Sequence, residues 1–290
     1  MRFRRPYIVR GSRVAALGLA VLVAAACGKS AMNISSPDEL YEQAVMEHAD
    51  EGYDSAVQRY RELLDHYPLD PRAEEIELRI AHAHLANEAY PEAIAAFSDF
   101  QRMHPTSSHL PEVEYRIGQA YVEQIDTIDR DLGSAKNAHH RLQSVLARYP
   151  RSEFSKDARA QLLDVREHLA GRELYIAEYY FDRGFYGAGW VRTAALLKYY
   201  PETSTAAEAA EQLASAAADQ GDAETARLAE AAATELEQSA AENEENPGAR
   251  RAPGPALGTL RAHLKTPPAI ADGPSQGLTQ DPAGEASAGS

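Results

Sequence analysis

Ala56-Val57-Gln58-Arg59-Tyr60-Arg61-Glu62-Leu63-Leu64-Asp65-His66-Tyr67-Pro68 decides the reading of this chain, because its pattern returns three times. Met103-His104-Pro105, Arg148-Tyr149-Pro150 and Tyr199-Tyr200-Pro201 repeat its ending at proline spacings of 37, 45 and 51. Twelve residues before each proline stand Ala56, Ala93, Ala138 and Gly189. Eight before stand Tyr60, Phe97, Leu142 and Thr193; five before stand Leu63, Phe100, Val145 and Leu196. Each segment thus carries a small, then a bulky, then an apolar residue along one helical stripe, with Thr193 the weak member. The proline ends the helix, since it has no N–H to continue the ladder and its ring clashes with the preceding turn.

Outward from these segments, Ala44, Ala81 and Ala177 lie twenty-four residues before their prolines and place small residues on the preceding helices. Small residues at facing positions let two antiparallel helices approach closely. The bulky residue fills the space between neighbouring units. A fifth unit shows in Leu213-Ala214, a Gly221-Asp222 turn and Ala226, without a terminal proline. No stretch alternates apolar and polar residues as a half-buried strand does. The reading is an all-α tetratricopeptide-repeat solenoid of about five helix–turn–helix units, each stacking on its neighbours to bury its apolar face. Tyr53, Tyr90 and Tyr186, fifteen residues before their prolines, read as packing residues. The third unit carries about eight extra residues near Asp126–Ser134. Ser152–Arg183 reads as one extended helix, bent at Gly171, joining units one to three (38–151) to units four and five (152–239).

The chain has 290 residues and a formal net charge of −15. Such acidity opposes binding to phosphate backbones, so no nucleic-acid partner is expected. A single cysteine, Cys27, excludes an intrachain disulfide and cysteine-rich zinc modules. Arg2, Arg4, Arg5, Arg10 and Arg13 precede an uncharged run from Val14 to Ala26, which is shorter than the roughly 20 residues of a membrane span. This reads as a signal peptide over residues 1–26. Ala24-Ala25-Ala26-Cys27-Gly28 resembles the lipobox of bacterial lipoproteins, with Ala24 where leucine is favoured. The resemblance implies cleavage before Cys27, acylation of its thiol and amine, and a short acylated tether over 27–37. Gly28, rather than aspartate, implies sorting to the outer membrane. An ordinary signal peptide cut after Ala26 is the alternative. Removing residues 1–26 takes away five arginines and no acid, which leaves a net charge of −20. Residues 240–290, rich in Pro, Gly, Ala and Ser, read as a disordered tail. Within them Ala256–Leu264 is a candidate helix for docking on a partner.

No catalytic constellation emerges. His82 and His84, and His139 and His140, lack the spacing that aims two ligands at one metal, and neither a P-loop nor a dinucleotide-binding glycine motif is present. Gly273-Pro274-Ser275-Gln276-Gly277 has the letters of a nucleophile elbow without the strand and helix that shape one. No cofactor or metal is expected.

The lipobox, the five units, the Asp129-Arg130-Asp131 insertion and the stretch Ile176-Ala177-Glu178-Tyr179-Tyr180 with Arg183-Gly184 resemble the BamD family over about residues 27–239. These are outer-membrane lipoproteins of the β-barrel assembly machinery. The resemblance implies a non-enzymatic periplasmic scaffold. Its carboxy-terminal half would bind the periplasmic repeats of the barrel-forming subunit, alongside other lipoproteins of the machinery. Its amino-terminal units would bind unfolded outer-membrane proteins. Alignment on Tyr200-Pro201 puts Arg192 where the family has an arginine that pairs with an acid of the barrel subunit, with Trp190 beside it. A tetratricopeptide lipoprotein serving cell-wall synthesis, motility or polysaccharide export is the alternative.

Overall fold

The computed structural model describes residues 35–245 and 254–265. Cys27, the signal peptide and the Gly273–Gly277 motif lie outside the described residues. The described chain is helical throughout: α1 (Pro37–Ala49), α2 (Tyr53–His66), α3 (Ala73–Ala86), α4 (Tyr90–Met103), α5 (Leu110–Val122), α6 (Gly133–Arg148), α7 (Ser155–Asp182), α8 (Tyr186–Tyr199), α9 (Ser204–Asp219), α10 (Ala223–Glu245) and α11 (Pro255–His263). Consecutive helices pack as antiparallel pairs, and pairs stack in chain order, so each element touches near neighbours in sequence. That is the architecture of a repeat solenoid.

The repeat offsets translate directly into burial. Ala56, Ala93 and Ala138, then Tyr60, Phe97, Leu142 and Thr193, then Leu63, Phe100, Val145 and Leu196 are all 0% exposed. The small position has a steric reason at Gly189: a Cβ there would stand 2.5 Å from ring carbons of Phe181. Each of α2, α4, α6 and α8 ends two residues before its proline, with Tyr67, His104, Tyr149 and Tyr200 as the caps in between. Those caps have φ between −121° and −131° and ψ between 42° and 64°, outside the helical region that a following proline disfavours. The fifth unit lacks the proline, and α10 runs for 23 residues. Pro37 occupies the first turn of α1, where Ser36 and Glu39 form a capping box.

α7 is one continuous helix of 28 residues, unbroken at Gly171. It belongs to both halves: Val165 and Leu169 join the core of the third unit, and Ala170 and Leu174 join the core of the last two. The inserted loop of the third unit is held to it by Arg172, 5% exposed, which donates to the Ile128 carbonyl at 3.0 Å.

One sequence expectation is corrected. Within residues 240–290, read above as disordered, α10 continues to Glu245 and Pro255–His263 forms α11, packed against α10 and α8. Leu257, Leu260 and Leu264 recur at helical spacing and are 1%, 0% and 5% exposed. Three leucines on one face supply the apolar surface that the average composition of the segment conceals.

Candidate partner-docking surfaces

The first helices of units one to three together frame an open groove of about 470 Å³. His48 from α1, Arg79 and His82 from α3, and Arg116 and Gln119 from α5 line it, over an apolar floor of Leu85 and Ala86. These positions follow from stacking: α1, α3 and α5 show the same face side by side. Arg79 and Arg116 are 37 residues apart, as are Glu75 and Glu112, and His82 and Gln119. The repeat thus presents the same glutamate–arginine pair twice, followed by His82 in one unit and Gln119 in the next. In both units the carboxylate sits one turn back and steadies the arginine instead of lining the groove. Glu75 Oε1 accepts from Arg79 Nε at 2.8 Å and from the Tyr41 hydroxyl at 2.7 Å. Glu112 Oε1 lies 3.7 Å from Arg116 Nε and 3.3 Å from His82 Nε2.

The electrostatics of the groove favour an anion. The hydrogen bonds from Tyr41 and Arg79 hold the Glu75 carboxyl below its ordinary pKa, and the hydrogen bond from His82 does the same for Glu112. Both therefore stay ionised and keep the arginines in place. Burial, followed by the charges of Arg79 and His82, pushes the His48 pKa down, so its imidazole is neutral near pH 7. His48 Nδ1 and Arg116 Nε are buried without a hydrogen-bond partner. Unpaired polar nitrogens beside two guanidinium groups suit a carboxylate ligand, which can accept bidentate hydrogen bonds from arginine.

The second surface lies on α8 and the end of α7. Arg192 is partly exposed and pairs with Glu173 at 3.3 Å. Val191 beside it is 50% exposed. Trp190, singled out above as a contact residue, is 2% exposed within the core of units four and five, and has no face to offer a partner. Two residues apart on a helix point to different sides, which is why the pair separates. In the Glu178-Tyr179-Tyr180 stretch, the Arg183 guanidinium lies 3.6 Å from the centre of the Tyr179 ring. Burial, reinforced by Glu208 and Asp182, pushes the Glu178 pKa up. Tyr53 and Tyr186 are partly buried against the cores of their units, as packing residues are.

His82 and His84 diverge: His82 faces Glu112, whereas His84 is buried 3.4 Å from Arg61. Among the described residues no three of His, Cys, Asp and Glu are arranged to hold a metal ion, and no helix is long and apolar enough to cross a membrane.

The profile of one protein family matches residues 34–232; it is described as YfiO, outer membrane lipoprotein. Among curated proteins, the outer membrane protein assembly factor BamD of Caulobacter vibrioides is 30% identical over 206 residues, 68% of each chain. That of Vibrio cholerae is 26% identical over 185 residues, 60% of this chain and 77% of that one. That of Neisseria meningitidis is 28% identical over 178 residues, 58% and 67% of the respective chains.

Proposed function

The chain belongs to the YfiO family of outer membrane lipoproteins, and from that membership we propose that it is a non-enzymatic scaffold of outer-membrane β-barrel assembly. In this reading Cys27 carries the acyl chains that hold the scaffold on the periplasmic face of the outer membrane. Two or more chains are needed for stable anchoring, since one acyl chain binds only marginally. Units one to three receive unfolded barrel proteins. Units four and five bind the barrel-forming subunit, with the other lipoproteins of the machinery assembled around them.

The observation that carries the substrate assignment is the first-helix groove. Arg79, Arg116, His48 and His82 line it in a chain whose net charge is −15, and the carboxylates that pair with the arginines, Glu75 and Glu112, stand behind its lining. An extended peptide can lay an apolar side chain on Leu85 and Ala86 while its terminal carboxylate meets the arginines. A synthetic peptide copying the carboxy-terminal strand of an outer-membrane β-barrel protein tests this. Its affinity for the mature chain should fall at least tenfold in Arg79→Ala/Arg116→Ala, with helicity retained. Unchanged affinity would overturn the assignment.

Arg192 is the proposed contact to an acid of the barrel subunit, because it is partly exposed next to the exposed Val191 and pairs with a partly buried glutamate, Glu173. Arg192→Glu should weaken binding of the purified subunit by tenfold or more without loss of helicity; equal affinity removes Arg192 from the interface. Depletion of the protein in cells should lower porin levels.

A further inference from the structure

α11 is anchored at both ends by side chains rather than by the repeat pattern. At its start the Glu235 carboxylate of α10 accepts from the backbone N–H groups of Ala256 and Leu257 at 2.8 and 3.1 Å. This satisfies two of the four amides that a helix start leaves free and places a negative charge at its positive end. Near its end Arg261 Nε donates to the Leu197 carbonyl at 2.8 Å, joined by Nη2 of the same guanidinium. Leu197 is four residues before Pro201, so the N–H that would normally bond this carbonyl does not exist. The proline stop of the fourth unit thus creates an unpaired acceptor, and a cation of the tail segment fills it. His263 Nε2 lies 2.8 Å from the Thr225 hydroxyl, which also bonds Asp222 at 2.7 Å. Between these anchors Leu257, Leu260 and Leu264 enter the same core as Leu197, Leu228, Ala229 and Leu236.

Two features mark this helix as one that leaves. It has nine residues, too few to be stable alone, so it exists as a helix only while seated. Gly258 stands at its centre, facing open space: a Cβ there would meet nothing within 4 Å. No packing requires glycine at that position, and glycine in a helix interior lowers its stability. The two walls of its seat, α8 and α10, are each held by α9, which packs extensively on α10 and also on α8.

We propose that α11 is a reversible latch filling, in cis, a helix-docking groove of α8 and α10 that a protein partner's amphipathic helix takes when the latch opens. The competing helix carries leucines at the spacing of 257, 260 and 264 and a cation in the place of Arg261. An opened groove exposes apolar side chains to water, so the vacancy is itself the driving force for a replacement helix. The groove shares α8 with the proposed Arg192 contact, but none of its own residues is part of that contact, so the two can be tested separately.

The test uses the full mature chain and a fluorescent peptide of residues 254–265 as the probe. Amides 256–264 of the unaltered protein should exchange with deuterium at least 100-fold faster than those of α9 and α10. Arg261→Glu, which breaks the anchor, should bind the peptide at least tenfold more tightly than the unaltered chain. Gly258→Ala, which firms the latch, should bind it less and slow the exchange of 256–264. Equal protection of α11 and α10 overturns the proposal. So does a folded Arg261→Glu chain that ignores the peptide, or a stable dimer in which each groove holds the other copy's 254–265.

Discussion

Asp70 shows how a connector between units is fixed by one carboxylate. Its Oδ1 accepts from the backbone N–H of Arg72 at 2.8 Å and from Arg72 Nε at 2.9 Å, and its Oδ2 accepts from Arg72 Nη2 at 2.8 Å. Arg72 reaches on to Asp38 at 3.0 Å and covers the Tyr41 ring at 4.7 Å, so the connector is tied to the start of α1. The hydrogen bonds from Arg72 hold the Asp70 pKa at about 2, below its ordinary value of 3.8, against the opposing effect of burial. A depressed folded-state pKa stabilises the fold above the unfolded value and loses that contribution as pH falls through the folded one. Asp70→Asn should therefore cost on the order of 1–2 kcal/mol at pH 7. The difference from the unaltered chain should shrink steadily from about pH 5 toward pH 2. Urea unfolding at a series of pH values measures it, and a pH-independent difference would refute the charge-assisted origin. The importance of Asp70 is not legible in sequence, where it is one acid among 44. By contrast, Tyr60, Phe97 and Leu142 declared themselves core residues by returning at one offset from a proline, because a repeat must bury the same position in every unit.

At the scale of the element, the turns inside units carry a backbone requirement that spacing hides. Glu51, Glu88, Gly184 and Gly221 have φ of 61°, 56°, 76° and 74°, each between the two helices of a unit. The left-handed conformation is available to glycine without steric cost and costs other residues roughly 1–2 kcal/mol. Gly184 has nothing within 4 Å of a built Cβ, so Gly184→Ala tests the backbone alone. It should lower stability by about 1 kcal/mol in chemical denaturation. Gly258→Ala, equally open but in a helix, should act in the opposite direction. The same substitution in the same empty surroundings thus changes sign with φ. The second helices of the first four units were readable because Tyr67, His104, Tyr149 and Tyr200 precede prolines, and a helix has little choice but to end there. α11 was readable as a candidate helix over Ala256–Leu264 but not as part of the fold, since its three leucines are diluted among glycine, proline and alanine, and its docking depends on Glu235 and Leu197, far away in sequence. The groove was hidden for a similar reason: Arg79 and Arg116 look like solvated charges until stacking sets their helices side by side.

At the scale of the molecule, the buried side chains of the described residues divide into four clusters strung along the solenoid instead of one centre. Leu78, Phe97, Phe100, Val113 and Ile117 form the one between units two and three, directly behind the groove helices. The cluster of units four and five is built largely from alanines of α9 and α10, with α7 the element shared between the halves. In such a structure stability is close to a sum of unit and nearest-neighbour terms, so damage stays local unless the interfaces are strong. Phe97→Ala should remove about 3–5 kcal/mol, the range for a fully buried phenylalanine in a core that cannot collapse around the cavity. That loss should fall on α3, α4 and α5, seen as faster amide exchange there, and should loosen the arrangement of Arg79 and Arg116. Exchange in α9 and α10 should be unchanged, and so should binding that depends on Arg192. Equal acceleration along the whole chain would mean that α7 couples the two halves into one cooperative unit. In the proposed function, a scaffold whose halves respond separately can yield at the groove, under the pull of an unfolded substrate, while its carboxy-terminal half keeps its hold on a partner.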